Sequence, residues 1–406
     1  MPSAVPPRLA LAACLGVIVA LVLALAQAMH MRHFFYRRRP ALSARRREAL
    51  LVVSSSSPCR RLLASDLHTA SLPNTRDLAA YLPIRRGLVY RTASPLGDPA
   101  RVAALVEALG VGVLVDLRSR AEWGAADDAA AAALDATVHR LPARPDRRGR
   151  DALVSLATHW HRWWRRGSEC ERGWHPPPAD PPLEAAPFTA STSPRPRLAI
   201  LHAPVQAWAP YLRAFVLAHV LPLDGLAVLA AYAGARLAGR RPPVPAVRAR
   251  LEAATAAAGL PAMYCTLLDA FAPEIVGAVR AVGAALAATT TATASPPSAV
   301  AVACKLGKDR TGLAVALVGL AAGAPETAVL ADYAASAARE GDSSGHGPSS
   351  LAPLSSGFSA LAGAPPAALA AALDHLDATH GGWARYLEVH GFSVADQAAL
   401  AAVLRE

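Results

Sequence analysis

The sequence predicts an α/β fold: a central, mostly parallel sheet flanked by helices, preceded by an N-terminal transmembrane helix. Three observations carry this expectation. Residues 299–303 form an apolar run that enters a charged loop at 304–312, and a second apolar run at 313–320 leaves it. That order reads as a buried strand, a tight loop and the start of a helix. Residues 101–109 read as a helix leading into a short apolar strand at 111–115, and 198–202 read as a further strand. Residues 9–29 are apolar throughout except for Gln27, a run long enough to cross a bilayer as a helix.

The N-terminal run is followed by His30, Arg32, His33, Arg37, Arg38 and Arg39, then by Arg45, Arg46 and Arg47, whereas only Arg8 and the terminal amine precede it. The positive-inside rule places the C-terminal side in the cytosol, giving a single-pass membrane protein. A cleaved signal peptide and a secretory route are the alternative, because Ala24-Leu25-Ala26 is a small-x-small site. The dense arginine block opposes translocation. Residues 1–40 are therefore expected to be an anchor with a basic flank, 41–70 a basic, serine-rich linker, and 71–406 the folded domain, with a low-complexity insertion at about 124–196.

Composition narrows the function classes. The chain is 53% hydrophobic and carries a net charge of +11, with its arginines clustered. Such clusters suit acidic membrane surfaces or polyanionic substrates. No zinc-finger spacing and no aromatic-basic binding motif is present, which sets nucleic acid aside. Cys14, Cys59, Cys170, Cys265 and Cys304 are widely spaced and odd in number, so they outline no disulfide framework or metal site.

Within 71–406 the elements follow in order. Asn74-Thr75-Arg76-Asp77-Leu78 precedes Arg86-Gly87-Leu88-Val89-Tyr90-Arg91-Thr92-Ala93, and Asn74 is the only asparagine of the chain. Asparagine serves turns and caps, which is its ordinary use here. The strand at 111–115 ends in Asp116-Leu117-Arg118-Ser119. Polar groups at the C-terminal end of a parallel strand lie where α/β sheets place ligands, so Asp116 either faces a pocket or caps the next segment. The expected insertion holds alanine runs, prolines and the stretch from His159 to Arg166, where tryptophan alternates with basic residues in a way that suits a membrane interface. The apolar stretch 207–235 is broken by Pro210, Arg213, His219, Pro222 and Asp224 and reads as two helices rather than a span. A helix follows from Gly259 to about Leu286, and another is expected at 365–377 after a Ser/Gly-rich loop at 341–357.

The loop at 304–312 reads Cys-Lys-Leu-Gly-Lys-Asp-Arg-Thr-Gly. A tight strand-to-helix loop turns successive backbone N–H groups toward one point, backed by the helix dipole, and that point attracts an anion. A cysteine at its first position feels the same field, which favours a thiolate. Arg310 can fork onto two oxygens of a phosphoryl group. Lys305 and Lys308 are the only lysines in a chain whose 41 basic residues are otherwise arginine. Gly307-Lys308-Asp309 does not match the Gly-Lys-Ser/Thr of a nucleotide-binding loop.

This loop resembles the signature of the cysteine-dependent protein tyrosine phosphatase superfamily, and Gly-Lys-Asp-Arg-Thr-Gly is the form typical of its tyrosine/serine protein phosphatase family, a dual-specificity-like group. The segments at 74–78 and 86–93, Asp116 to Ser119, Asp332-Tyr333-x-x-Ser336 and Gly381-Gly382-Trp383 are similar to that family's motifs in the same order, so the likeness covers about 71–123 and 198–406. It implies a phosphatase with no cofactor and no metal, acting on a phosphorylated protein or a phosphoinositide. Cys304 would be the nucleophile and Arg310 the phosphoryl clamp. Asp309 is the first candidate for general acid, Asp116 the second and Asp77 a distant third. Lys305, Leu306, Gly307, Lys308, Thr311 and Gly312 would cradle the phosphate, with Lys308 adding charge at the mouth and Thr311 placed to hydrogen-bond the thiolate. The chain departs from the family at Ala303, where a His is usual, at Thr75 for Phe, and at Ala79-Ala80 for two glycines. A His before the nucleophile helps orient the loop, so its loss makes a membrane-anchored, phosphate-binding pseudophosphatase the alternative.

Overall fold

The computed structural model describes residues 42–55, 74–119, 122–133, 136–140, 198–205, 259–291, 299–337 and 363–405. The apolar runs at 9–29 and 207–235 and the stretch from His159 to Arg166 lie outside the described residues.

Among the described residues six strands form one sheet: β1 (Arg76–Asp77), β2 (Val89–Ala93), β3 (Val111–Asp116), β4 (Thr137–Arg140), β5 (Ala199–His202) and β6 (Ala299–Cys304), in the order β1-β2-β6-β3-β5-β4. Of these described strands the β1–β2 pair is antiparallel and the other pairs are parallel. The sheet is therefore mostly parallel and covered by helices, as an α/β fold requires. β6 is central, pairing Val89↔Val300 on one side and Leu114↔Ala301 on the other.

Period-2 alternation along β6 divides the core into two layers. Ala299, Ala301 and Ala303 join Leu105, Leu114 and Ile200 on one face. Val300, Val302 and Cys304 join Ile275, Val279, Leu313 and Leu317 on the other. The first layer is closed by elements near β3: α2 (Pro99–Ala103), which continues as a π turn over Ala104–Ala108, and α3 (Ala125–Ala133). Asp98 starts α2 by accepting from the amides of Ala100 and Arg101, with Pro99 in the first turn, where its missing N–H costs nothing. The second layer is built from α4 (Gly259–Ala270), α5 (Ala272–Thr291), α6 (Asp309–Ala321), α7 (Glu326–Ala334), α8 (Pro366–His380), α9 (Trp383–Val389) and α10 (Val394–Arg405). From Arg310 to Ala321 every residue of α6 is buried, so its sequence is apolar all round rather than on one stripe. Among the described residues no single helix is long and apolar enough to cross a membrane; α4 and α5 qualify only as a pair bent by 81°, and Ile275, Val276 and Val279 bury that pair in the core.

Two stretches differ from expectation. Residues 44–55, expected to belong to a linker, form a helix (α1, Ala44–Ser55) that packs on α7 and α8. Arg46 is 3% exposed and donates to Glu326 (Nε to Oε2, 2.9 Å) and to Asp374 (Nη1 to Oδ1, 2.5 Å), with Asp377 at 2.7 Å. An Arg-Arg-Arg run reads as solvated because its acidic partners lie far downstream in the chain. Residues 125–140, expected to open the insertion, supply α3 and the edge strand β4, which pairs in parallel with β5. Alanine-rich composition hid the periodicity there.

Candidate active site

β6 delivers Cys304, 2% exposed, to the N-terminus of α6. The loop between them is held from outside by its carbonyls. Asn74 Nδ2 donates to the Leu306 carbonyl (2.8 Å), and Arg91 Nη2 donates to those of Gly307 (2.8 Å) and Lys308 (3.2 Å). In a trans peptide the next N–H points opposite to the C=O, so the amides of Gly307, Lys308 and Asp309 turn inward. Gly307 has φ +66, and a Cβ there would stand 2.5 Å from the Ala93 nitrogen, so only glycine fits. Lys308 makes no side-chain cap for α6, which leaves the first-turn amides to an anion.

Behind the loop, buried Asp332 on α7 pairs with Arg76 (Nε to Oδ1, 2.8 Å) and with Arg91 Nη1. Burial alone would push the Asp332 carboxyl up; the two guanidiniums outweigh it and hold it below the usual range. Burial, with Arg91 alongside, takes Arg76 down to about 10, still charged at neutral pH. Arg76 also donates to Ser336 Oγ (3.0 Å), so β1, β2 and α7 are tied at one point.

Arg310 lies at the first turn of α6, and Glu122 grips it through both oxygens. Burial disfavours the guanidinium's charge, but the Glu122 bridge outweighs that, with the Cys304 and Asp309 charges adding, so Arg310 is held more firmly cationic than a free arginine. Burial would raise the Glu122 carboxyl; Arg310 and the Ser119 amide, which donates to it at 2.8 Å, bring it down to about 2. Glu122 occupies Nη1 and Nη2, while Nε carries no hydrogen bond among the described residues. One edge of the guanidinium is thus left for an oxyanion. A cysteine, inward amides and a clamped arginine around one point can hold a tetrahedral oxyanion against a sulfur nucleophile.

The profile of the tyrosine phosphatase family matches residues 67–406. The chain belongs to that family. It is a phosphatase, and α1 lies upstream of the matched span. No curated protein matches this chain significantly.

The three candidate acids of this phosphatase fare differently. Asp116 is fully buried and engaged by Arg118 (Nε to Oδ2, 2.9 Å; backbone N to Oδ1, 2.9 Å), a strand-end ion pair rather than a group facing the loop. Asp77 accepts from the amides of Ala79 and Gly87 and closes the turn before β2. Asp309 alone stands in the loop with a partly exposed carboxylate. Lys308, expected at the mouth, is buried, with Nζ 4.0 Å from Asp309, whereas Leu306, 41% exposed, and half-buried Lys305 form the rim. Thr311 is buried and its Oγ1 has no hydrogen-bond partner among the described residues. Gly312 is required because a Cβ would stand 2.9 Å from Tyr333 Cδ2.

Glu122 belongs to none of the sequence motifs described above. Its signal was a carboxylate three residues beyond Ser119, in the loop leaving the C-terminal end of β3. Ala303 lies in the apolar layer on the face of the sheet opposite Cys304, so the departure from the family's His changes the far side of the strand.

Proposed function

We propose that the phosphatase hydrolyses phosphomonoesters of protein or phosphoinositide substrates through a cysteinyl-phosphate. The observation that supports this best is Cys304 set against the uncapped start of α6, beside an Arg310 fixed by Glu122. In the first step the Cys304 thiolate attacks phosphorus, the sulfur–phosphorus bond forms and the ester bond breaks. Asp309 gives its proton to the leaving oxygen. Loop amides and Arg310 hold the three equatorial oxygens, over which the charge is spread in the transition state. In the second step Asp309 takes a proton from water as that water attacks phosphorus, and the thiolate leaves, assisted by the Thr311 hydroxyl. Residues 9–29 and the arginines after them would keep this chemistry at the cytosolic face of a membrane.

Ala303 favours turnover over mere binding in this reading, because it lies on the layer away from Cys304 and leaves the nucleophile's own surroundings in place. The test is phosphate release by the full chain from phosphotyrosine peptide, phosphoserine peptide and phosphoinositide vesicles, with and without Cys304→Ser. Release that disappears in the variant supports the mechanism. Substrate binding without release by the parent would establish the pseudophosphatase instead.

A further inference from the structure

Asp309 is not left to find its own orientation. Tyr264, on α4 and fully buried, donates its hydroxyl to Asp309 Oδ1 at 2.6 Å. The same hydroxyl oxygen is hydrogen-bonded to that of Tyr333 on α7, and the two rings pack edge to face with centroids 5.9 Å apart. The direction of the chain follows from valence. An ionised carboxylate only accepts, so Tyr264 gives its single proton to Asp309, and Tyr333 must then be the donor to Tyr264. Successive donors of this kind polarise one another. Burial, reinforced by the Asp309 charge and by Tyr333, holds the Tyr264 phenol well above its usual range, so it remains a donor throughout the working pH.

A core tyrosine needs some partner for its hydroxyl, and a carbonyl suffices: Tyr386 uses that of Leu268 at 2.9 Å. Tyr264 reaches instead to a carboxylate at the first residue of α6. The fold also makes room for the second tyrosine, since Gly312 is the position at which any side chain would collide with the Tyr333 ring. The hydrogen-bonded chain and this clearance are separate observations with the same effect.

We infer that Tyr264, backed by Tyr333, is a positioning residue that marks Oδ1 of Asp309 as an acceptor and so leaves Oδ2 to carry the proton exchanged with the leaving oxygen and then with water. This rests on the reading of Asp309 as general acid. The bonds made and broken are those of the two steps above; Tyr264 keeps its own proton through both.

The experiment compares kcat/KM of the full chain for phenyl phosphate, whose leaving group needs protonation, and for p-nitrophenyl phosphate, which needs it less. It uses the parent, Tyr264→Phe, Tyr333→Phe, Asp309→Asn and the Tyr264→Phe/Asp309→Asn double variant. Tyr264→Phe keeps the ring and removes only the donor. It is expected to lower the phenyl phosphate value about 10-fold, within the contribution of a general acid, and the p-nitrophenyl value much less. Tyr333→Phe should show the same pattern more weakly, and Tyr264→Phe should cost nothing further once Asp309 is Asn. Equal losses on both substrates, including complete loss of activity, overturn the inference, as does an undiminished Tyr264→Phe effect in the Asn background. An Asp309→Asn variant that loses the two substrates equally would instead remove the general-acid reading itself, and with it this role for Tyr264.

Discussion

Glu122 and Arg310 meet through both pairs of polar atoms, Nη1 to Oε2 at 2.5 Å and Nη2 to Oε1 at 2.9 Å, so the guanidinium cannot rotate without breaking two charged bonds. Arg310 also has the carbonyls of Leu117 and Val205 within 3.4 Å of Nη1. The clamp therefore comes from the β3 side of the sheet, while the nucleophile comes from β6.

Glu122→Gln should lower kcat/KM by about 10–100-fold, because the amide keeps one acceptor but presents an NH2 to the guanidinium, and misplacement of a clamp is costly at that level. Steady-state kinetics with p-nitrophenyl phosphate measures this. An unchanged kcat/KM would mean that Arg310 needs no partner.

The same pair makes stability pH-dependent. The Glu122 carboxyl sits at about 2 in the fold against an ordinary value of 4.5, so its contribution is complete above the ordinary value. It drains away as pH falls from about 4.5 toward about 2, and amounts to on the order of 3 kcal/mol. Urea unfolding at pH 7 and pH 3 should show the gap between parent and Glu122→Gln narrowing at the lower pH; a gap independent of pH would contradict the assignment.

Gly307→Ala should abolish phosphate release and destabilise the domain by about 2–3 kcal/mol, combining a positive φ with overlap against the Thr92–Ala93 peptide. Circular dichroism and urea titration separate the two effects. A variant with parental stability would show that the loop can move away from β2.

Arg46→Ala should cost about 3–5 kcal/mol, since it strips buried Asp374 of its guanidinium partner and leaves Glu326 only the distant Arg45 at 3.9 Å, whereas Arg45→Ala should change little because that side chain is 81% exposed. Equal effects at the two positions would show that α1 is not held by the buried network.

What the sequence made legible was local. The strand, loop and helix from β6 to α6 are adjacent in the chain, so apolar runs and one charged loop were enough to outline them. The order of the flanking motifs extended the outline to Asn74, Asp332 and Ser336. Pairings across long stretches of chain left no such trace: Glu122 with Arg310, Tyr264 with Asp309, and Arg46 with Asp374 each depend on which elements the sheet brings together. Asp116 was ambiguous for the opposite reason. Its partner Arg118 is only two residues away, yet a strand-end carboxylate reads the same whether it faces a ligand or a neighbouring arginine.

The trio of Arg76, Asp332 and Arg91 has a consequence for ionic strength. Two guanidiniums against one carboxylate leave one positive charge sealed behind the anion-holding loop. Mobile counterions screen exposed charges over about 8 Å at physiological salt, but buried ones much less. Attraction of a phosphoryl dianion to the loop should thus persist in concentrated salt, and added salt should weaken only the pull exerted by the rim around Lys305.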